Sequence, residues 1–380
     1  MKPIYLDYNA TTPLDPAVVD AMLPYLKGGL EGHFGNPSSS HQFGHQAHLA
    51  VDAGRNQVAE LLGCAPDEIV FTGCGSEADN LALKGGAEAY RSRGNHIITS
   101  QIEHPAVLNT CRYLERRGYE VTYLPVDEYG LVDPLAVEAA ISERTILISI
   151  MHANNEVGTV EPISAIGAIA RNKGILLHTD AAQSVGKVPT KVDELGVDLL
   201  TVAGHKLYAP KGVGALYVRK GTKLESLIHG AGHEGGRRAG TENVPYIVAL
   251  GKACEIAAKT MAEYMPRIRE LRERLHQRLA AEVAGLKLNG HPLERLPNTL
   301  NVSFPGVDGE MLLSRTPEVA ASTGSACHAG RTEPSAVLLA MGLQRDVALG
   351  AVRISLGKFT SEDDVDRAAA ALIKGAMSTA

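Results

Sequence analysis

From residue 15 to about residue 250, short apolar runs alternate with stretches whose apolar residues recur at helical spacing. The runs at 68–72, 96–100, 120–125 and 145–151 are rich in Ile, Val, Thr and Tyr, and their length suits strands. The runs at 175–178 (closing on Asp180), 199–202 and 214–218 continue the series. Between them, helical periodicity predicts helices from Ser39-Ser40 through Leu62 and over 77–90, 106–117 and 163–172. Strands alternating with helices predict an α/β fold, with a large, mainly parallel sheet and helices on both faces. Beyond residue 255 the pattern changes. A long charged helix over 259–283, strands at 299–304 and 352–356, and a terminal helix from Ser361 predict a second, smaller α+β domain.

The 380 residues are 44% hydrophobic and 21% charged, with mean hydropathy −0.04, which fits a globular chain with ample core. A net charge of −6 speaks against a direct nucleic-acid binder, whose domains carry a basic field. No apolar stretch reaches the ~18 residues of a membrane span. The first residues are polar and rich in turn formers, unlike a signal peptide. Five widely spaced cysteines without a C-x-x-C argue against a disulfide framework or a zinc ribbon, so the expected location is the cytoplasm, with reduced thiols.

The polar clusters lie just after the strands, where open α/β sheets bind ligands. Lys206 closes the segment Thr201-Val-Ala-Gly-His-Lys206. Near an electrophile, a lysine so placed can form a Schiff base, although a solvated loop lysine fits the segment equally. Asp180, in His178-Thr-Asp-Ala-Ala-Gln183, could pair with a pyridinium nitrogen or simply cap a helix. Gly73-Cys-Gly-Ser76 joins a strand to a helix and offers backbone N–H groups and a hydroxyl to a phosphate, or else is an ordinary capped turn. His104 could stack on an aromatic ring or carry protons, or be a satisfied polar residue at the sheet edge. Cys327 sits among small residues, with His328 and Arg331 to favour its thiolate; a buried structural cysteine is the alternative. His41, His45 and His48 share one helical face. Three ligands without a second shell point to solvated or interface histidines rather than zinc, and no metal is expected.

Taken in order, these motifs resemble the NifS/IscS-type cysteine desulfurases, within the class V aminotransferases of the fold-type-I pyridoxal-5′-phosphate (PLP) enzymes. The resemblance begins at Tyr5-Leu-Asp-Tyr-Asn-Ala-Thr-Thr-Pro13 and Gly35-Asn-Pro-Ser38. It continues through Met151-His-Ala-Asn-Asn-Glu156-Val-Gly, Gly204-His-Lys206 and Arg237-Arg-Ala-Gly-Thr241-Glu-Asn, and ends with Gly324-Ser-Ala-Cys327 and Arg353-Ile-Ser-Leu-Gly. It implies a PLP-binding domain over 15–255 and a small domain from 1–14 and 256–380 that carries the cysteine loop.

By position, the resemblance implies that Lys206 holds PLP, Asp180 pairs with its ring nitrogen, Gln183 bonds the ring hydroxyl and His104 covers the ring. Gly75, Ser76 and His205 would grip the phosphate, beside Ala203 and Gly204, and Thr241 would reach it from the partner of a homodimer. Asn155 and Arg353 would hold the carboxylate of L-cysteine, and Cys327 would take its sulfur. The long segment from Cys327 to Arg353 resembles the group that hands its persulfide to an acceptor protein, such as a scaffold for Fe–S clusters or a tRNA-thiolation enzyme. Ala203 stands where the family often has serine, which removes a phosphate hydroxyl. His328 follows the nucleophile where the family often has threonine, and selenocysteine lyases have a histidine in a similar place, so a selenocysteine lyase is the nearest rival. A non-catalytic sulfur-relay scaffold would lack Lys206 or Cys327, and a Rossmann dehydrogenase would need a glycine fingerprint that is absent. Cys74 beside the phosphate turn is either a second reactive thiol or, the blander expectation, a packed structural one.

Overall fold

The computed structural model describes residues 3–324, 326–328 and 331–378, with backbone alone at 326–328, 331 and 332. After a short strand β1 (Ile4–Tyr5), seven strands build the main sheet. They are β2 (Ile69–Thr72), β3 (His96–Ser100), β4 (Glu120–Leu124), β5 (Thr145–Ser149), β6 (Leu176–Asp180), β7 (Leu199–Ala203) and β8 (Gly214–Val218), in the order β2-β8-β7-β6-β5-β3-β4. The neighbours from β7 through β4 are parallel. β8 is antiparallel to both β7 and β2, so β2 runs in the direction of the parallel set. The carboxyl ends of β2, β3, β5, β6 and β7 therefore face the same way. Every residue of β2, β3 and β5–β8 is buried, because helices cover both faces, and such strands read as continuous apolar runs.

One face is covered by helix Gln42–Leu62, helix Ile163–Lys173 and the first half of helix Val244–Glu282. The other carries the helical run from Gly75 to Ala89 and helix Pro105–Glu115. Helix Gln42–Leu62 starts two residues later than Ser40, because the His41 side chain caps it, Nδ1 accepting from Gly44 N–H at 3.2 Å. It stops at Gly63, whose φ of 73° suits glycine and lets its N–H reach the Ala59 carbonyl. The helix expected over 77–90 is interrupted by a π turn at Leu81–Gly85. The long helix expected from residue 259 begins at Val244. Its first turns carry few charges and lie against the sheet, so no polar face marks them in the sequence.

The remaining strands form smaller sheets. β9 (Lys287–Asn289), β10 (Thr299–Ser303) and, near the C-terminus, Ala351–Ser355 make an antiparallel three-stranded sheet. β11 (Val319–Ala320) pairs with β1 in parallel, β12 (Ala326–His328) and β13 (Arg331–Glu333) form a hairpin, and Ala351–Ser355 is β14. Ile4, Leu6, Ile268, Leu275, Val302, Ile354 and Leu372 belong to a second core separate from that of the main sheet. Helix Val244–Glu282 serves both, giving Ala257 to the first core and Ile268 to the second. The division expected between residues 255 and 256 falls inside it. Among the described residues no helix is long and apolar enough to cross a membrane.

Candidate active site

Ten of the thirteen residues to which the resemblance gives a role line one cavity of about 390 Å³ at the carboxyl ends of the main-sheet strands. β2 and its turn bring Gly75 and Ser76, β3 brings His104, β5 brings Asn155, β6 brings Asp180 and Gln183, and β7 brings Ala203, His205 and Lys206. Arg353 enters from β14 of the second sheet. Gly204 lies behind the wall, its N–H donating to the Val213 carbonyl. Thr241 is exposed and does not line this cavity. The backbone of Cys327 lies in β12; its side chain is outside the described residues.

The Lys206 amine donates to the backbone carbonyls of Asn9 and Ala10, the latter at 2.7 Å. Burial, followed by the nearby Arg353 guanidinium, pushes it down to about 8, against the opposing pull of Asp180 and Asp7. Asp180 is 5% exposed, and one of its oxygens accepts from Ala182 N–H at 2.9 Å. Its other oxygen has no partner among the described residues. Burial raises its pKa, while that N–H, His104 and Lys206 pull the other way. Burial lowers His104, whose Nδ1 accepts from Ala106 N–H and caps helix Pro105–Glu115. His205 is pushed down to about 4 by burial and then by Lys206, and its Nδ1 lies 3.2 Å from the Thr11 hydroxyl.

The start of the helix at Gly75 leaves the Gly75 and Ser76 N–H groups and the Ser76 hydroxyl without partners among the described residues. Orphan donors at a helix start suit an anion. At the other end, Arg353 is 7% exposed, held by Asp7 (2.8 Å) and the Asn155 carbonyl (3.2 Å), and its Nε is buried without a partner among the described residues. An anion-accepting helix start, a buried carboxylate, an amine of lowered pKa and a buried guanidinium thus converge on one enclosed space. Their chemistry suits a phosphate-bearing, nitrogen-containing aldehyde and an amino-acid carboxylate.

Sequence reasoning missed several members of this site. Asn9 accepts from both Lys206 and Gln183 through its carbonyl, and its own amide bonds the Asn155 carbonyl and Thr299. Lys187 donates to Gln183, and Asp79 and Glu103 lie buried beside Asp180. Asn9 and Lys187 stand within or next to quoted motifs, yet only their contacts mark them. One expectation needs correction. Cys74 is not packed: it is exposed, lines the cavity and caps the helix, its Sγ accepting from Glu77 N–H. Cys74 is the N-cap residue of that helix, in extended backbone. His41, His45 and His48 are exposed, His41 capping helix Gln42–Leu62 and His48 lying 3.3 Å from Asp52. Among the described residues no group of three such side chains is placed to hold a metal.

Comparison with known proteins adds an independent line. Residues 4–368 match the family described as Aminotransferase class-V. The chain is 52% identical over 367 residues to the cysteine desulfurase IscS of Pectobacterium carotovorum, which spans 96% of this chain and 90% of that relative. A solved NifS-like protein superposes with a TM-score of 0.91 at 40% identity, covering 98% of both chains. A structure described as SspA in complex with cysteine superposes with a TM-score of 0.83 at 40% identity, covering 94% of this chain and 99% of the other.

Proposed function

The chain belongs to the aminotransferase class-V family, among its NifS- and IscS-type cysteine desulfurases, and from that premise we propose that it converts L-cysteine to L-alanine and carries the sulfur away on Cys327. The observation that carries this reading is the convergence of the Lys206 amine, the Asp180 carboxylate and the Arg353 guanidinium on one cavity. The cofactor it calls for is PLP, and the donors at Gly75 and Ser76 and the second oxygen of Asp180, unpartnered among the described residues, fit that group's two ends. PLP bound there supplies an aldehyde for Lys206 and an electron-poor ring that drains charge from the α-carbon of an attached amino acid.

The protein's own residues have separable tasks. Asp180, ionised, holds the proton of the ring nitrogen. Its burial works against this, and Lys206 and His104 work for it. Gln183 donates to the ring oxygen and His104 covers the ring. Gly75, Ser76 and His205 receive the phosphate beside Ala203 and Gly204, and the exposed Thr241 is offered to the cavity of a second protomer, which makes the enzyme a homodimer. Arg353, with Asn155, takes the substrate carboxylate as a charge-assisted pair. With PLP bound, Lys206 would be the base that removes the α-proton; an amine with a pKa of about 8 is partly free base near neutrality.

The Cys327 thiolate attacks the substrate sulfur. An S–S bond forms, the Cβ–S bond breaks with its electron pair staying on carbon, and that carbon is protonated as alanine leaves. His104 carries the proton. The persulfide on Cys327 is then passed to a sulfur-acceptor protein of Fe–S cluster assembly or tRNA thiolation, a reaction suited to the reducing cytoplasm.

The test is a visible spectrum and product assay of the protein loaded with PLP. Wild type is expected to be coloured and to release alanine and, with a reductant, sulfide from L-cysteine. Lys206→Ala is expected to lose both the colour and the activity, and Cys327→Ala to keep the colour and lose sulfide release. Full turnover by Cys327→Ala would remove the persulfide from the scheme.

A further inference from the structure

Lys187 is a lysine that the scheme above does not use, and its position asks for a reason. It is 7% exposed, four residues beyond Gln183, and its Nζ donates to Gln183 Oε1 at 2.9 Å. Among the described residues it has no carboxylate partner. A lysine buried without a counter-charge is costly, and burial, with Lys206 and Arg353 nearby, pushes it down to about 7. A methionine or leucine would fill the same space without that cost.

The contacts on either side of Gln183 show what the amine gains. Gln183 Nε2 donates to the Asn9 carbonyl at 2.9 Å, and the same carbonyl accepts from Lys206. A primary amide can turn over, exchanging its oxygen and its NH₂. Here the backbone carbonyl can only accept, and the Lys187 head has N–H groups to donate whether charged or neutral. The reversed amide would set oxygen against oxygen at Asn9 and NH₂ against the hydrogens of Lys187. One end of the side chain thus fixes the other, and the second N–H of Nε2 is left for the cavity that Gln183 lines.

We propose that Lys187 is a positioning residue that locks the Gln183 amide with its NH₂ toward the cavity, so that Gln183 can only donate to the ring oxygen of the cofactor. This rests on the PLP reading of the site and deepens it. A locked donor favours negative charge on the ring oxygen. The proton shared between that oxygen and the Lys206 linkage is then lost at lower pH. An amide free to turn would present its own oxygen to the ring for part of the time and raise that pH.

The measurement is the pH midpoint of the visible absorbance change of the PLP-loaded protein, in wild type, Lys187→Met, Gln183→Ala and the double variant. One charge-assisted hydrogen bond corresponds to a shift of about one pH unit. Both single variants are expected to move the midpoint upward by that amount, the double variant no further than Gln183→Ala alone, and Lys187→Arg to stay near wild type. An unmoved midpoint in folded, coloured Lys187→Met overturns the proposal. So does a further upward shift on adding Lys187→Met to Gln183→Ala, which would mean that the lysine acts by its field and not through the amide. If Lys187→Met does not fold, neutron diffraction of the wild-type holoenzyme decides: deuterium on the Gln183 atom facing Asn9 supports the lock, and its absence there removes it. A wild type that takes up no PLP defeats the cofactor reading itself and this proposal with it, whereas a coloured wild type with an unmoved variant defeats this proposal alone.

Discussion

The chemistry of the site depends on taking one amine out of water without giving it a carboxylate in direct contact. Among the described residues the hydrogen-bond partners of Lys206 are two backbone carbonyls, and Arg353 stands near enough to add to the effect of burial. The amine is thereby brought to about 8, well below the 10.5 of an exposed lysine. Only the free base attacks an aldehyde, so the rate at which PLP-free protein captures PLP is expected to rise about tenfold per pH unit at low pH and to level off near pH 8. A stopped-flow absorbance trace at a series of pH values checks this, and a rate still climbing tenfold per unit at pH 9.5 would show an ordinary lysine. Lys206, Asp180 and Ser76 could be picked out beforehand because each stands at or within a few residues of the carboxyl end of a buried strand, a place where a polar residue needs a reason. Asn9, Asp7 and Lys187 carried no such local mark. Asn9 matters through a carbonyl, which every residue has, and Asp7 through an ion pair with Arg353 that bridges most of the chain.

At the scale of elements, the step from β7 into the short turn Gly204–Lys206 decides where the amine points. Gly204 donates its N–H to the Val213 carbonyl and accepts from the N–H groups of Leu207 and Ala209, so the turn is pressed against the start of β8. A Cβ at this position would come within 2.9 Å of both the Val213 carbonyl oxygen and its Cγ1. Gly204→Ala must push the turn away from backbone, and it is expected to cost about 1–3 kcal/mol of stability in denaturant unfolding, with weaker PLP retention. Unchanged stability and retention would mean that the turn has slack. Six of the seven strands of the main sheet, all but β4, were legible because they are buried on both faces, and their apolar runs fit nothing else. Helix Val244–Glu282 was only half legible. Ile247, Leu250, Cys254 and Ala257 bury one face while the rest of those turns carries few charges, so its periodicity is faint until the charged stretch begins. The π turn at Leu81–Gly85 had no signal at all, since Leu, Ala, Lys and Gly sit in either kind of helix.

The whole molecule buries more ionisable groups than one catalytic site uses, and their opposing shifts set how its stability responds to pH. Burial pushes Glu103 and Glu161 up to about 8 and Glu156 up to about 7, from 4.5 when unfolded. Each therefore keeps a proton in the folded state that the unfolded chain has lost, and its contribution to stability falls as pH rises from 4.5 through the folded value. Burial also pushes His152 and His205 down to about 4 from 6.5, so each costs stability as pH drops below 6.5 and nothing above it. In the window from 4.5 to 6.5 the two sets oppose each other. Above 6.5 the histidines no longer contribute and the carboxyls act almost alone, until Lys187, from about 7, and Lys206, from about 8, begin to pull the other way, as their folded values lie below 10.5. The PLP-free protein is thus expected to lose on the order of 2 kcal/mol between pH 6.5 and pH 8, read as a lower thermal midpoint at constant ionic strength. Glu103 offers the sharper version of the test. It accepts from Ser100 and Met151 through one oxygen, the other is buried without a partner among the described residues, and Asp180 adds to the shift. Glu103→Gln keeps an oxygen for those donors and removes the titration, so it should flatten the fall between pH 6.5 and 8 relative to wild type. If the variant and wild type fall in parallel, Glu103 is already ionised in the fold and the charge it shares with Asp180 is balanced elsewhere.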